Sequence, residues 1–339
     1  MRTVRFLEGP TMWPYARQSP KGDGVFGDTR FLFGPGNEPT DWLVVLNEIP
    51  PEQMLAYPRE RTIFFTGEPP SVRTFHPDYL AQFGTIVTTD RTVGHPNVIF
   101  RAPPVPWHVG INSRNPAAYR QALTFGQLLE TPPKTRLCSC ICSKKAYTPG
   151  HRARLAFVKR LKQELGSQID FFGRGFRDMQ DKDEALAPYR YHIAIENCAV
   201  EDYWTEKLAD AYLRNCFPIY AGAPNIGGYF DPSAMMVIDI GDPDRSISAI
   251  GELLASDTDR QSAAAIAEAK RRVLWDHNIL AVVDDLAARA ENSGATLSDA
   301  RPLLPEAAFL PPVVPKLRKR VLRSIQTAIG WPAPRKSAP

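Results

Sequence analysis

The sequence predicts an α/β protein of two open-sheet domains. Three observations predict it. Apolar runs of strand length recur through residues 1–125, separated by proline-rich loops. From Arg136 onward, apolar strands alternate with amphipathic segments of helix length, which is the pattern of βαβ units on a parallel sheet. Between these regions Thr131-Pro-Pro-Lys134 breaks the chain and marks a linker. The expected organisation is an N-terminal α/β domain over residues 1–130, a C-terminal α/β domain over 131–300, and a proline-rich, basic tail over 301–339.

In the first domain the expected strands are 3–7, 42–46, 61–65, 85–88 and 97–100, and the best helical segment is 117–129. Segments 43–51 and 63–70 echo each other, each ending an apolar strand in a glutamate followed by prolines. In the second domain 136–142 reads as a strand and 152–165 as a helix, with Leu155, Val158, Leu161 and Leu165 as its apolar stripe. Strand 169–173, strand 191–195, helix 203–213, strand 217–221 and strand 235–240 come next. Helices then fill 247–255 and 260–290. No internal repeat of fixed period is present.

Composition sets the class. With 339 residues, 43% apolar and 23% charged, the chain can bury the cores of two ordinary domains. No apolar run is long enough for a membrane-spanning helix, and the first residues lack the apolar core of a signal peptide. A cytoplasmic location is therefore predicted. The net charge of +4 is uneven: residues 316–339 hold seven basic residues and no acid, so the remaining body is mildly acidic. That body carries no basic surface interleaved with aromatics, which argues against nucleic acid as a partner. Leu317, Val321, Ile325 and Ile329 recur at spacing four among the tail's basic residues. Segment 316–331 thus reads either as a helix lying on an anionic inner membrane face or as a solvated tail. Cys138, Cys140 and Cys142 alternate with their neighbours at strand periodicity, so they are expected as small buried residues rather than metal ligands or disulfide partners.

The chemistry concentrates between residues 191 and 224. Tyr191-His-Ile-Ala-Ile-Glu-Asn197 is a buried strand ending in polar residues. Asp202-Tyr-Trp-Thr-Glu-Lys207 opens a helix, and Phe217-Pro-Ile-Tyr-Ala-Gly-Ala-Pro224 is a second buried strand. Ligands of α/β sheets sit at the carboxyl ends of strands and the first turns of helices. On that helix Trp204, Leu208, Ala211 and Tyr212 share the sheet-facing stripe. Tyr203, Glu206 and Lys207 share an adjacent one, so a phenol, a carboxylate and an ammonium can face one ligand beside Asn197. The plainer alternative is an Asp202 N-cap with a solvated charge pair. A second cluster, Pro149-Gly-His-Arg-Ala-Arg154, places three basic side chains in a helix's first turn, where the dipole favours anions. A bound phosphate explains them; a solvated basic turn is the alternative.

The ordered run Ile195-Glu-Asn197, Tyr203-Trp-Thr-Glu-Lys207 and Gly222-Ala-Pro224 resembles the signature of the α-1,3/4-fucosyltransferases, glycosyltransferase family 10, densely over about residues 189–225. The resemblance implies the GT-B fold, two Rossmann-like domains facing each other across a cleft. It implies transfer of L-fucose from GDP-fucose to a hydroxyl of an oligosaccharide or glycan, with inversion. A chain without an N-terminal membrane anchor resembles the bacterial members. Within the resemblance, Arg154-Leu-Ala-Phe157 falls where the family's arginine contacts the donor diphosphate, and Lys207 supplies a second cation there. Asn197, Tyr203 and Glu206 are expected to orient the donor. Glu196 is counted with them or as an anchor of its own loop. Phe65-Thr-Gly-Glu68 matches the family's proposed base, so Glu68 is the expected proton acceptor, with Glu48 in the echoing segment as its rival. A loop carboxylate capping backbone amides is the plain reading of either.

No Asp-X-Asp run stands in the donor segment, so no obligatory metal or other cofactor is expected. The chain departs from the family pattern in three places. Trp204 stands where valine is common, Asp231-Pro-Ser-Ala-Met-Met stands where Ser-Phe-Ile is common, and the N-terminal third matches little beyond the Glu68 segment. Two other readings remain: a GT-B transferase using another nucleotide sugar, or a non-catalytic carbohydrate- or nucleic-acid-binding protein.

Overall fold

A computed structural model describes residues 1–339 except 10–12, 51, 52, 54, 104, 105, 113–121, 145, 147 and 311–339. In chain order the strands are β1 Arg2–Glu8, β2 Val25–Phe26, β3 Thr29–Phe33, β4 Trp42–Leu46, β5 Leu55–Tyr57, β6 Thr62–Phe65, β7 Thr85–Thr88, β8 Val98–Phe100, β9 Arg136–Ile141, β10 Ile169–Phe172, β11 Tyr189–Ile195, β12 Phe217–Ala221, β13 Met236–Val237 and β14 Arg301–Leu303. The helices are α1 Pro77–Leu80, α2 Phe125–Leu129, α3 Pro149–Leu165, α4 Glu206–Leu213, α5 Pro243–Leu254, α6 Thr258–Gln261, α7 Ala263–Trp275 and α8 Ile279–Asn292.

Two open sheets organise the chain. The first runs β2-β3-β1-β4-β6-β7-β8, parallel except for β2; the second runs β10-β9-β11-β12-β13 and is parallel throughout. In each, the chain order reverses once: β1 lies between β3 and β4, and β9 lies between β10 and β11. A crevice opens at such a switch point because the two connections leave in opposite directions, and it is where open α/β sheets take their ligands. The two crevices face one another, which is the GT-B arrangement. Strands buried on both faces explain the unbroken apolar runs, as in β4, all five of whose residues are buried.

Several elements differ from expectation for identifiable reasons. Strand β3 and the short β2 extend the first sheet, built from a polar-flanked run that carries no clean alternation. The expected helix 260–290 spans the end of α6, then α7 and α8, the last two broken at 276–278, where the Asn278 side chain accepts the Leu280 N–H at 3.0 Å and starts α8. Helix α8 then leaves the second sheet and packs on the first, burying Ile279, Leu280, Val282 and Val283 against Phe26, Phe31 and Trp42. At roughly 1.5–3 kcal/mol per buried side chain this anchors the helix firmly. Strand β14 pairs with β5 of the first domain. Helix α8, expected with the second domain, and strand β14, expected with the tail, thus pack on the first. The expected strand 235–240 pairs only at Met236–Val237. The helix expected over 117–129 lies partly outside the described residues, and its described part is α2. The tail helix 316–331 lies outside them altogether.

Cys138, Cys140, Cys142 and Cys216 are buried, Cys198 is half-buried, and all five are free thiols. Among the described residues no helix is long and apolar enough to cross a membrane.

Candidate active site

Both crevices open into one cavity of about 420 Å³. Glu8 from the end of β1, Leu46 and Asn47 after β4, and Gly67 and Glu68 after β6 line one wall. Ser143 after β9, His151 and Arg154 of α3, Asn197 after β11, and Tyr203, Thr205, Glu206 and Lys207 at the start of α4 line the other. Six of the seven residues named from sequence therefore meet here: Glu68, Arg154, Asn197, Tyr203, Glu206 and Lys207.

Helix α3 starts one turn earlier than the sequence suggests. Thr148 caps it, taking the His151 N–H at 3.2 Å, and Pro149 occupies the first helical position. The Arg154 guanidinium donates to Asn197 Oδ1 at 2.5 Å, tying the basic helix start to the end of β11. Gly150 is required for this approach, because a Cβ there would sit 1.8 Å from the Asn197 carbonyl oxygen. Gly222 is the second such position: a Cβ would meet Tyr220 Oη at 2.1 Å and Glu196 Cγ at 2.7 Å.

Helix α4 begins at Glu206, not at Tyr203, and its cap is Thr205 rather than Asp202. Asp202 adopts a left-handed backbone, φ 63°, and its carboxylate is engaged elsewhere. It accepts from Asn225 Nδ2 and Tyr229 Oη, each at 2.8 Å, and pairs with Arg91 of the first domain. Tyr229 Oη also accepts the Ala102 N–H at 3.0 Å, and Arg91 lies 4.2 Å over the Phe100 ring. A polar clasp thus joins the two domains beside the loop that carries Asn197 and Tyr203.

Glu196, expected either with the donor contacts or as an anchor of its own loop, sits behind the cavity wall. It is buried and does not line the cavity. Its Oε1 accepts the Thr205 N–H at 2.8 Å and hydroxyl at 2.9 Å, and its Oε2 pairs with Lys207 Nζ at 3.0 Å. It fixes the cap and the lysine together, as the anchoring alternative anticipates. Lys207 Nζ also reaches Glu206 Oε1 at 3.6 Å, and Lys182 Nζ reaches the same oxygen at 3.4 Å and Asp210 at 2.9 Å. Burial alone would raise the Glu206 carboxyl, but the Lys207 and Lys182 ammoniums outweigh it and hold it well below the usual range. Burial likewise opposes the Lys207 charge, and the two glutamates overcome it and raise its pKa. Both groups stay charged. The Tyr203 phenol, pushed well up by burial and then by Glu68, Glu196 and Glu206, stays a neutral donor.

On the opposite wall, burial pushes the Glu8 carboxyl up to about 7, against hydrogen bonds from Tyr15 Oη at 3.0 Å and the Trp13 N–H at 3.4 Å. Glu48 lies outside the cavity lining and pairs with Arg73 at 3.7 Å. Sequence reasoning missed Glu8, Asn47, Ser143 and His108. Their common signal is position at the end of an apolar strand or one or two residues past it, except for His108, which stacks on Trp13 at 4.2 Å and is invisible to any local pattern. Among the described residues no group of three or more His, Cys, Asp or Glu side chains could hold a metal ion.

Two open sheets whose switch points face each other are the arrangement of GT-B folds. Residues 131–250 match the family described as glycosyltransferase family 10 (fucosyltransferase), C-terminal part. An α-(1,3)-fucosyltransferase of Helicobacter pylori is 34% identical over 59 residues, 17% of this chain and 12% of that protein. A GDP-fucose protein O-fucosyltransferase 3 of Danio rerio is 30% identical over 110 residues, 28% of this chain and 24% of that protein. The chain thus matches about a quarter or less of the length of these curated relatives. Among solved structures, an α1,3-fucosyltransferase with GDP-fucose aligns over 88% of this chain and 94% of that one, at 15% identity and a TM-score of 0.47.

Proposed function

We propose that the chain is an inverting fucosyltransferase, moving L-fucose from GDP-fucose to a hydroxyl of a glycan acceptor. The observation that carries the reading is the division of one cavity between two walls. Arg154 in the second turn of α3 and Lys207 in the first turn of α4 stand on one side, and the Glu68 carboxylate stands on the other. The matched family segment and relatives named for GDP-fucose support this donor.

In this reading the acceptor hydroxyl gives its proton to Glu68 as its oxygen bonds to the anomeric carbon. The bond from that carbon to the diphosphate breaks, and its electron pair leaves with GDP. Arg154 and Lys207 meet the charge growing on the diphosphate, an interaction worth roughly 3–4 kcal/mol per well-placed group. Asn197, Tyr203 and Glu206 orient the donor, Glu206 through a pair of sugar or ribose hydroxyls. No metal takes part, so turnover is expected to persist in excess chelator; its abolition would count against this.

Calorimetric titration with GDP, GDP-fucose, UDP and UDP-glucose tests the donor. Binding of the guanine compounds alone supports the proposal. Preference for a uridine donor would leave the fold and overturn the fucosyl assignment, and no binding at all would favour a non-catalytic role.

A further inference from the structure

Helix α4 places Glu206 and Asp210 four residues apart on one face, both largely out of solvent. Two carboxylates so placed repel unless a cation lies between them. Lys182, from the 3-10 turn Lys182–Ala185 ahead of β11, is that cation. Its Nζ stands 2.9 Å from Asp210 Oδ2 and 3.4 Å from Glu206 Oε1. Both flanks of Lys182 hold residues 107–110, where the chain crosses between the domains. Asp181 Oδ1 accepts the Asp183 N–H and the Gly110 N–H, each at 2.8 Å, and Asp210 Oδ1 accepts the His108 N–H at 3.1 Å. From the other side the first domain holds the same crossover. Arg17 donates to the carbonyls of Trp107 and Val109, the latter at 3.0 Å, and Gln18 takes the Trp107 N–H at 3.3 Å.

The two ammonium neighbours of Glu206 are placed differently. Lys207 Nζ is nearer to Glu196, at 3.0 Å, than to Glu206, at 3.6 Å, and Lys207 lines the interdomain cavity. Lys182 does not line that cavity. It lines an adjoining one of about 130 Å³ that shares Glu206 and Lys207 with it. His108, 3.9 Å from Glu206, is held neutral by burial and supplies no charge. In the transferase reading the Lys207 ammonium meets the donor diphosphate. An anion drawing on Lys207 weakens its hold on Glu206, and Lys182 then balances that carboxylate.

We propose that Lys182 is a positioning residue that acts through Glu206. It keeps that carboxylate aimed at the donor's hydroxyl pair while Lys207 is engaged with the diphosphate, and through Asp210 it ties Glu206 to the crossover between the domains. The proposal rests on the transferase reading and adds to it a division of work between two lysines: Lys207 faces the donor, and Lys182 faces Glu206.

Calorimetric titration with GDP-fucose tests it in wild type, Lys182→Met, Glu206→Gln and the double variant of the two. Lys182→Met removes the charge and keeps most of the side chain's length. Residues that act through one another couple, and independent ones add. Lys182→Met should therefore weaken GDP-fucose about tenfold in the wild-type background and less than about twofold in the Glu206→Gln background. Equal losses in both backgrounds overturn the proposal, as does no loss in either. Damage to the fold is separated by Lys182→Met/Asp210→Asn, which removes the stranded carboxylate and keeps an oxygen for the His108 N–H. This variant should regain the melting temperature that Lys182→Met loses and not the GDP-fucose affinity. Recovery of both means that Lys182 acts only structurally and overturns the proposal. If Lys182→Met does not fold, Lys182→Met/Asp210→Asn takes its place in both backgrounds. Failure of wild type to bind GDP-fucose is a different result: it removes the donor reading and this proposal with it.

Discussion

The two walls of the cleft are both edges of open α/β sheets, yet they carry opposite chemistry. The C-terminal wall is made from two helix starts capped by Thr148 and Thr205, with His151 and Lys207 projecting from their first turns and Arg154 from the second turn of α3. The N-terminal wall is made from strand ends and tight turns, and its charged lining residues are the carboxylates Glu8 and Glu68. Helix starts offer free N–H groups and a positive dipole end, so cations placed there compound an anion site. Strand ends carry only a small net dipole, so they add no comparable positive field to the carboxylates placed there. The same architecture yields a cationic wall and an acidic wall, according to whether a strand leads into a helix or into a turn.

This contrast can be broken from either side. The largest effect is expected from Glu68→Gln: kcat lower by about 10²–10⁴, with GDP affinity unchanged. A comparable loss of GDP binding would move Glu68 to the donor side. Lys207→Ala should lower kcat/KM by about 10²–10³ and weaken GDP as well. Because that change strands the Glu196 carboxylate, the double variant Glu196→Gln/Lys207→Ala should recover melting temperature but not GDP affinity. Recovery of both would mean that Lys207 acts only structurally.

A smaller effect is expected from Arg91→Ala, which removes the first domain's charge from the buried Asp202 clasp. The acceptor KM should rise several-fold, with kcat less affected, since the walls lose registration and keep their groups; steady-state kinetics would show it. An unchanged acceptor KM would mean that domain packing alone sets the registration.

The smallest concerns pH and stability. Burial pushes His108 and His192 down to about 3 and His277 to about 4, so the fold keeps them neutral. The unfolded chain takes protons near pH 6.5 that the folded chain refuses. Stability is therefore full above that pH and falls as pH drops toward 4, by at most about 1.4 kcal/mol per pH unit for each histidine. Glu8 acts in the other sense between 4.5 and about 7, where the folded carboxyl holds its proton more tightly, and offsets one histidine. Urea midpoints should decline between pH 6.5 and 4, and less so in His192→Asn.

Much of this was legible because it is local. The C-terminal strands announce themselves as apolar runs. Five of the site residues cluster in two short segments whose cap and strand-end signals are independent of the rest of the chain, and Glu68 stands just past a strand of its own. The helix start at Glu206 was misplaced because Asp202 is a good cap in isolation. Only its contacts with Arg91, Asn225 and Tyr229, far apart in sequence, take it away. Helix α8 was assigned to the wrong sheet for a similar reason: an amphipathic stripe specifies that a helix packs, not against which sheet.

The sequence by itself determined the alternation of strands and helices, the family resemblance over 189–225, and the residue types of the C-terminal wall, because each depends on neighbours within a few turns of chain. Tertiary structure alone decided that Glu8 and Glu68 face Arg154 and Lys207, and that Glu196 lies beneath the site. Those relations join residues far apart in the chain, and only packing of the two sheets brings their carboxyl edges together.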